Sequence, residues 1–142
     1  MNNVELARRF WALWRDDGLA ELVSRYDEFF TEDLEWRSPV SELAGKRLVG
    51  REDFEQHVAN LLEAFEEIRA EPDEIAELAP DAIRFRVWIR GRGSRSGVVI
   101  DAPLIGVARL KEGRIAWAWS SFDLDEGERM VRAVARETEA SI

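Results

Sequence analysis

The sequence predicts an α+β fold, with helices packed on one face of a mostly antiparallel sheet. Three observations predict it. Apolar residues recur at helical spacing through the first half of the chain, strand-like segments follow one another after Pro72, and a turn at Lys111, Glu112 and Gly113 joins the last two. A chain of 142 residues can bury one real core but not two, so residues 1–142 are read as a single domain.

Residues 4–15 carry Ala7, Phe10, Trp11 and Trp14, with Leu6 and Leu13 beside them, the stripe of an amphipathic first helix. Asp16, Asp17 and Gly18 break it and cap a second helix over 19–30, striped by Leu22, Val23, Tyr26, Phe29 and Phe30. Residues 33–37 read as a short strand stopped by Ser38 and Pro39, and 40–49 as a loop. The clearest helix spans 50–69, with Phe54, Val58, Leu61, Leu62, Phe65 and Ile68 on one side and Pro72 closing it or following shortly after. Strands are expected over 73–79, 83–90, 97–110 and 114–122. Asp125 with Glu128 forms a capping-box pattern that opens a C-terminal helix through Met130, Val131 and Val134.

The last hairpin has two possible turns. A two-residue type I′ turn requires positive φ at Glu112, which a side chain resists, so a three-residue loop ending on Gly113 is favoured. That pairs Leu110 with Arg114, Ala108 with Ala116, Gly106 with Ala118, Leu104 with Ser120 and Ala102 with Phe122, lining one face with small side chains. The other face collects Trp117 beside Val107 and Trp119 beside Ile105, with Trp88 near Val99 and Arg86 near Asp101; Ile83, Phe85, Val87 and Ile89 point inward. Both faces are then apolar, and helices from one short chain are expected to cover only one. The outer face, with Trp88, Val99, Ile105, Val107, Trp117 and Trp119, is therefore expected to be a homodimer interface.

With 46% hydrophobic and 35% charged residues the composition is that of a soluble domain. The absence of cysteine excludes a disulfide scaffold, a thiolate nucleophile and a Cys-ligated zinc site. A net charge of -9 with a pI near 4.8 argues against nucleic acid as a partner. No signal-peptide pattern opens the chain and no apolar run approaches membrane-spanning length, so no membrane partner and a cytoplasmic location are expected. No His, Asp and Glu set has metal-ligand spacing, and neither a metal nor a cofactor is expected. The tip 90–97 has the glycines of a phosphate loop, but it joins two strands and opens no helix.

Arg15-Asp16-Asp17-Gly18, Asp33-Leu34-Glu35-Trp36-Arg37-Ser38-Pro39, Gly50-Arg51-Glu52, Arg90-Gly91-Arg92-Gly93 with Ser96-Gly97, Lys111-Glu112-Gly113-Arg114-Ile115 and Ser121-Phe122-Asp123 occur in an order that resembles the SnoaL-like branch of the nuclear transport factor 2-like superfamily. The resemblance covers nearly the whole chain. It implies a cone, a curved sheet wrapped around helices with one internal pocket, and dimerisation through the outer sheet face in many members. It implies no single activity, because the superfamily includes isomerases, cyclases, dehydratases, epoxide hydrolases and non-catalytic binding modules. The ketosteroid isomerase pattern does not carry over: its base corresponds to Ser38, its first-helix tyrosine to Phe10, and its protonated acid falls near Gly106.

A pocket lined by Trp14, Tyr26, Trp36, Ser38, His57, Ala108, Ala118, Ser120 and Phe122 is expected to bind a small, largely apolar molecule with one carbonyl or hydroxyl. His57, the single histidine, is the best catalytic candidate, as a general acid or base. A boundary residue that hydrogen-bonds locally is the competing account. Ser38 competes similarly between orienting a ligand and ending a strand, and Asp101 between an outward pair with Arg86 and an inward catalytic position. Asp123 reads as a structural cap. Two further functions stay open: an acid/base enzyme of polyketide cyclase, isomerase or dehydratase type using His57, and a non-catalytic protein-interaction module.

Overall fold

The computed structural model describes residues 2–39, 41, 45 and 47–140. Its elements are α1 (Asn3–Asp17), α2 (Leu19–Ser24), α3 (Tyr26–Phe29), β1 (Phe30–Arg37), β2 (Leu48–Val49), α4 (Gly50–Ala64), β3 (Phe65–Ala79), β4 (Ala82–Gly93), β5 (Val99–Lys111), β6 (Arg114–Ser121) and α5 (Leu124–Ala140). The six strands form one curved sheet in the order β2-β1-β6-β5-β4-β3. Among the described strands only β1 and β6 run parallel, so the expected α+β architecture with a mostly antiparallel sheet is what the chain adopts.

Asn2 starts α1 by accepting a hydrogen bond from the Glu5 amide at 2.8 Å, and Gly18, at φ 93, ends it. The expected second helix is broken at Arg25 (φ -109, ψ 26) into α2 and α3, and β1 begins three residues early, at Phe30. Half of the expected 40–49 loop, residues 40, 42–44 and 46, lies outside the described residues; Leu48 and Val49 at its end pair with Trp36 and Glu35.

The helix expected over 50–69 stops at Ala64. Phe65 and Ile68 keep the helical spacing, yet they belong to β3, where Phe65 opposes Gly93 and Ile68 opposes Gly91. A Cβ at Gly91 would come within 3.3 Å of the Phe65 ring, so the missing side chain leaves space for that ring. Pro72 closes no helix. It lies in the edge strand, opposite Val87, where its missing N–H disturbs no interior ladder.

The final turn is the two-residue type: Glu112 (φ 53) and Gly113 (φ 75) are both left-handed, flanked by the pair Lys111 and Arg114. The expected three-residue loop is therefore wrong, and so are its individual pairs. Next to the turn Ile115, and not Arg114, joins the concave core, but beyond the bulge the expected division of faces is right. A register shift between Arg109 and Leu110 leaves Ala116 as an extra residue, and beyond it Ala108 opposes Ala118 and Val107 opposes Trp119. Turn and bulge each change the parity, and the two changes cancel.

β4 and β5 pair without interruption, four positions from the expected register: Trp88 opposes Pro103 and Arg90 opposes Asp101. The error is even, so Trp88 and Asp101 still face outward. Asp101 is exposed, accepts a hydrogen bond from the Trp88 indole and lies 3.4 Å from Arg90, while Arg86 pairs with Asp73 at 3.5 Å.

Helices α1, α2 and α4 fill the concave face against Ile83, Phe85, Val87, Ile89, Leu104 and Ala108. The expectation that no helix of this chain covers the convex face is corrected, because α5 lies across part of it. Val131 and Val134 pack with Ala79, Ala82 and Val107, and Met130 and Trp117 join them. A Cβ at Gly127 would overlap Ile105 Cγ2, so glycine permits this close approach. Ile105, Val107 and Trp119 are at most 5% exposed within one chain. Arg84 to Glu128 at 2.8 Å and Arg109 to Glu137 fasten the helix at its sides. Its cap is Asp123, which accepts from the Glu126 amide at 3.1 Å, rather than Asp125.

Candidate functional site

An apolar slot opens between the concave face and the helices. From α1 come Phe10, Trp11 and Trp14, from α2 Leu19 and Leu22, and from α4 Phe54, His57, Val58 and Leu61. The sheet contributes Trp36, Ile68, Ile89, Leu104 and Ser120, and Ser38, Pro39 and Phe122 lie just beyond the ends of β1 and β6. No Asp, Glu, Lys or Arg is among these described lining residues. The slot is narrow, with a cavity volume of about 60 Å³. Pro39, Ser120 and Phe122 are also walls of a surface groove that includes Arg37, Ser121 and Asp123, which places the mouth where β1 and β6 end.

Of the nine residues expected to line a pocket, Trp14, Trp36, Ser38, His57, Ser120 and Phe122 do so together. Tyr26 does not. Its ring is 1% exposed among Phe30 and Phe54, its hydroxyl donates to the Thr31 carbonyl at 2.8 Å, and burial pushes its pKa up to about 12. Ala108 and Ala118 do not reach the slot either. The space above these small side chains is filled by Phe10, Trp11 and Trp36, leaving a void of about 10 Å³, at or below what one water needs. Small residues on the sheet thus receive large ones from α1 and β1 instead of leaving a cavity.

The polar groups of the wall differ in how far they are already engaged. Trp14 Nε1 donates to the Ile68 carbonyl at 3.3 Å, and its ring stacks on Trp11 at 5.5 Å. Ser38 and Ser41 bind reciprocally: the Ser38 amide donates to Ser41 Oγ at 2.8 Å and Ser41 Oγ donates to the Ser38 carbonyl at 3.0 Å. With Pro39 following, Ser38 has the surroundings of a helix-start cap. His57 is 9% exposed, and burial lowers its pKa below the ordinary 6.5, with no charged partner contributing. The imidazole is therefore neutral at neutral pH, offering one donor and one acceptor.

Sequence reasoning missed several walls. Phe54, Val58 and Leu61 share the α4 stripe with His57, and Ile89 and Leu104 share the inward parity, so those signals were present. Ile68 was hidden by its assignment to a helix.

A family model described as a SnoaL-like domain matches residues 7–118. Among solved structures, a nuclear transport factor 2-like protein of unknown function from Burkholderia pseudomallei is similar at TM-score 0.71 and 19% identity, covering 92% of this chain and 98% of that one. A putative SnoaL-like polyketide cyclase from Jannaschia sp. CCS1 is similar at TM-score 0.68 and 17% identity, covering 87% of each chain. TerC, co-crystallized with polyporic acid, is similar at TM-score 0.68 and 17% identity, covering 92% of this chain and 98% of that one. No curated protein matches the sequence. At these identities the structural likeness shows the fold alone.

Proposed function

The chain belongs to the SnoaL-like family, and from that premise we infer that it binds a small, uncharged, largely apolar molecule in the slot. The single observation that carries this reading is the lining: six aromatic side chains, no ionisable group other than a neutral histidine, and His57 and Ser120 as polar points. An ionised ligand group would lose water there and meet no counter-charge, at a cost of several kcal/mol. An apolar ring would instead exchange water for aromatic walls, and one oxygen could be oriented by the polar points. The likeness to TerC, co-crystallized with polyporic acid, supports a ligand-binding use of the fold and does not identify the ligand here. A thermal-shift screen of uncharged aromatic carbonyl compounds is expected to give saturable rises in melting temperature. No rise with any compound would overturn the reading.

A second reading, an acid/base enzyme of cyclase, isomerase or dehydratase type, is supported by His57, which lines the slot in the neutral form a general base requires. His57→Gln is expected to abolish any turnover found, and unchanged kcat would remove His57 from the mechanism. Homodimer formation would use the outer surface that α5 leaves uncovered, where Trp88 is half-buried and Val99 is 69% exposed. Sizing at micromolar concentration tests it; a strict monomer would refute it and favour an interaction module with a foreign partner.

A further inference from the structure

Three hydroxyl or indole donors in and around the slot are already engaged. Trp14 N–H donates to the Ile68 carbonyl, Tyr26 O–H to the Thr31 carbonyl, and the Ser38 hydroxyl belongs to the pair with Ser41. Trp36 differs. Its Nε1 is buried and has no hydrogen-bond partner among the described residues, although the ring lines both the slot and the void behind it. Buried indole N–H groups normally find an acceptor. The ring packs against three aromatic neighbours, Phe54 at 5.4 Å, Phe30 at 6.1 Å and Phe10 at 6.2 Å. Among the described residues no hydrogen bond fixes the orientation of the indole N–H.

We propose that Trp36 is the polar anchor of the slot, its indole N–H donating to the carbonyl oxygen of a flat, uncharged aromatic ketone. The inference rests on the slot being a ligand site. The acceptor has to be uncharged because the wall holds no counter-charge, and a planar carbonyl presents its lone pairs in the ring plane, where a narrow slot keeps them accessible. The competing account is that the ring faces of Phe30 or Phe54, which meet Trp36 at 90° and 69°, already accept the N–H.

The test compares 1-indanone with indane, which differ by the carbonyl, by titration calorimetry on the wild-type protein and on Trp36→Phe. Loss of one hydrogen bond is expected to lower the indanone-to-indane affinity ratio about tenfold in the variant. Because indane reports the change in packing, a purely structural role of Trp36 would weaken both ligands and leave the ratio fixed. A ratio that stays within twofold overturns the proposal while leaving the slot intact as a binding site; failure of both molecules to bind the wild type overturns both. Should Trp36→Phe not fold, the wild-type indole N–H resonance of Trp36, assigned through its contacts to Phe54, is expected to move downfield with indanone and not with indane. An unmoved resonance refutes the anchor.

Discussion

The contact between Gly127 and Ile105 decides the sign of a substitution that would otherwise be stabilising. Glycine inside an exposed helix costs about 1 kcal/mol relative to alanine, so Gly127→Ala should help α5 if only helix propensity mattered. In the folded protein the new methyl would overlap Ile105 Cγ2 and lie 3.1 Å from its Cβ. Ile105 is 2% exposed and β-branched, so its Cγ2 cannot swing clear without leaving its rotamer. Overpacking of that kind costs about 1–3 kcal/mol. The net expectation is a loss of up to about 2 kcal/mol, or up to roughly 8 °C in melting temperature for a domain of this size. Urea unfolding followed by tryptophan fluorescence measures it. Ile105→Ala alone should cost about 2–5 kcal/mol, but adding Gly127→Ala to it should recover about 1 kcal/mol of helix propensity, giving a favourable coupling of about 1–3 kcal/mol. If Gly127→Ala stabilises the wild-type protein, or the two effects add, α5 does not rest on the convex face and the account of that surface is wrong.

Glu112→Asn places a residue that tolerates the left-handed region where Glu112 now has φ 53, and should add about 0.5–1 kcal/mol to stability in the same urea assay. No gain would restore the three-residue loop. Tyr26→Phe leaves the Thr31 carbonyl without its donor, so it should cost about 1–2 kcal/mol while leaving the affinity of any slot ligand within twofold. A large change in affinity would return Tyr26 to the slot. His57 has a folded-state pKa depressed below 6.5 by burial, so the unfolded chain binds its proton first as pH falls. Its contribution is present above about pH 6.5 and is lost as pH falls from there through the folded-state pKa. His57→Gln should therefore flatten the melting-temperature profile as pH falls below about 6.5 relative to the wild type, and parallel profiles would refute the burial of the imidazole.

The candidate site was legible where a side chain's direction follows from local periodicity. Trp14 and His57 lie on helical stripes, and Ser120 and Phe122 share the parity of Ala118, so each could be placed before the partner elements were known. Tyr26 lies on an equally good stripe, but the break at Arg25 and the acceptor at Thr31 turned its hydroxyl away from the slot. Small residues on β5 and β6 signalled space without saying what filled it. Phe10 and Trp11 are distant in sequence from Ala108 and Ala118, and only the docking of α1 brings them together.

The chain's own pattern determined the α+β order of elements, the two faces of the sheet and the aromatic, charge-free character of the slot, because those depend on side-chain alternation and composition. Tertiary structure decided the rest. The end of α4 at Ala64 was set by pairing of β3 along the whole of β4, which outweighed a helical spacing that continued through Phe65 and Ile68. Left-handed backbone at Glu112 was accepted because the bulge beside Ala116 restored the alignment of Ala108 with Ala118. The covering of Ile105 and Val107 was decided by a C-terminal helix whose glycine lets it reach the sheet. Local periodicity tells which way a side chain points, whereas what it meets there depends on elements far away in the chain.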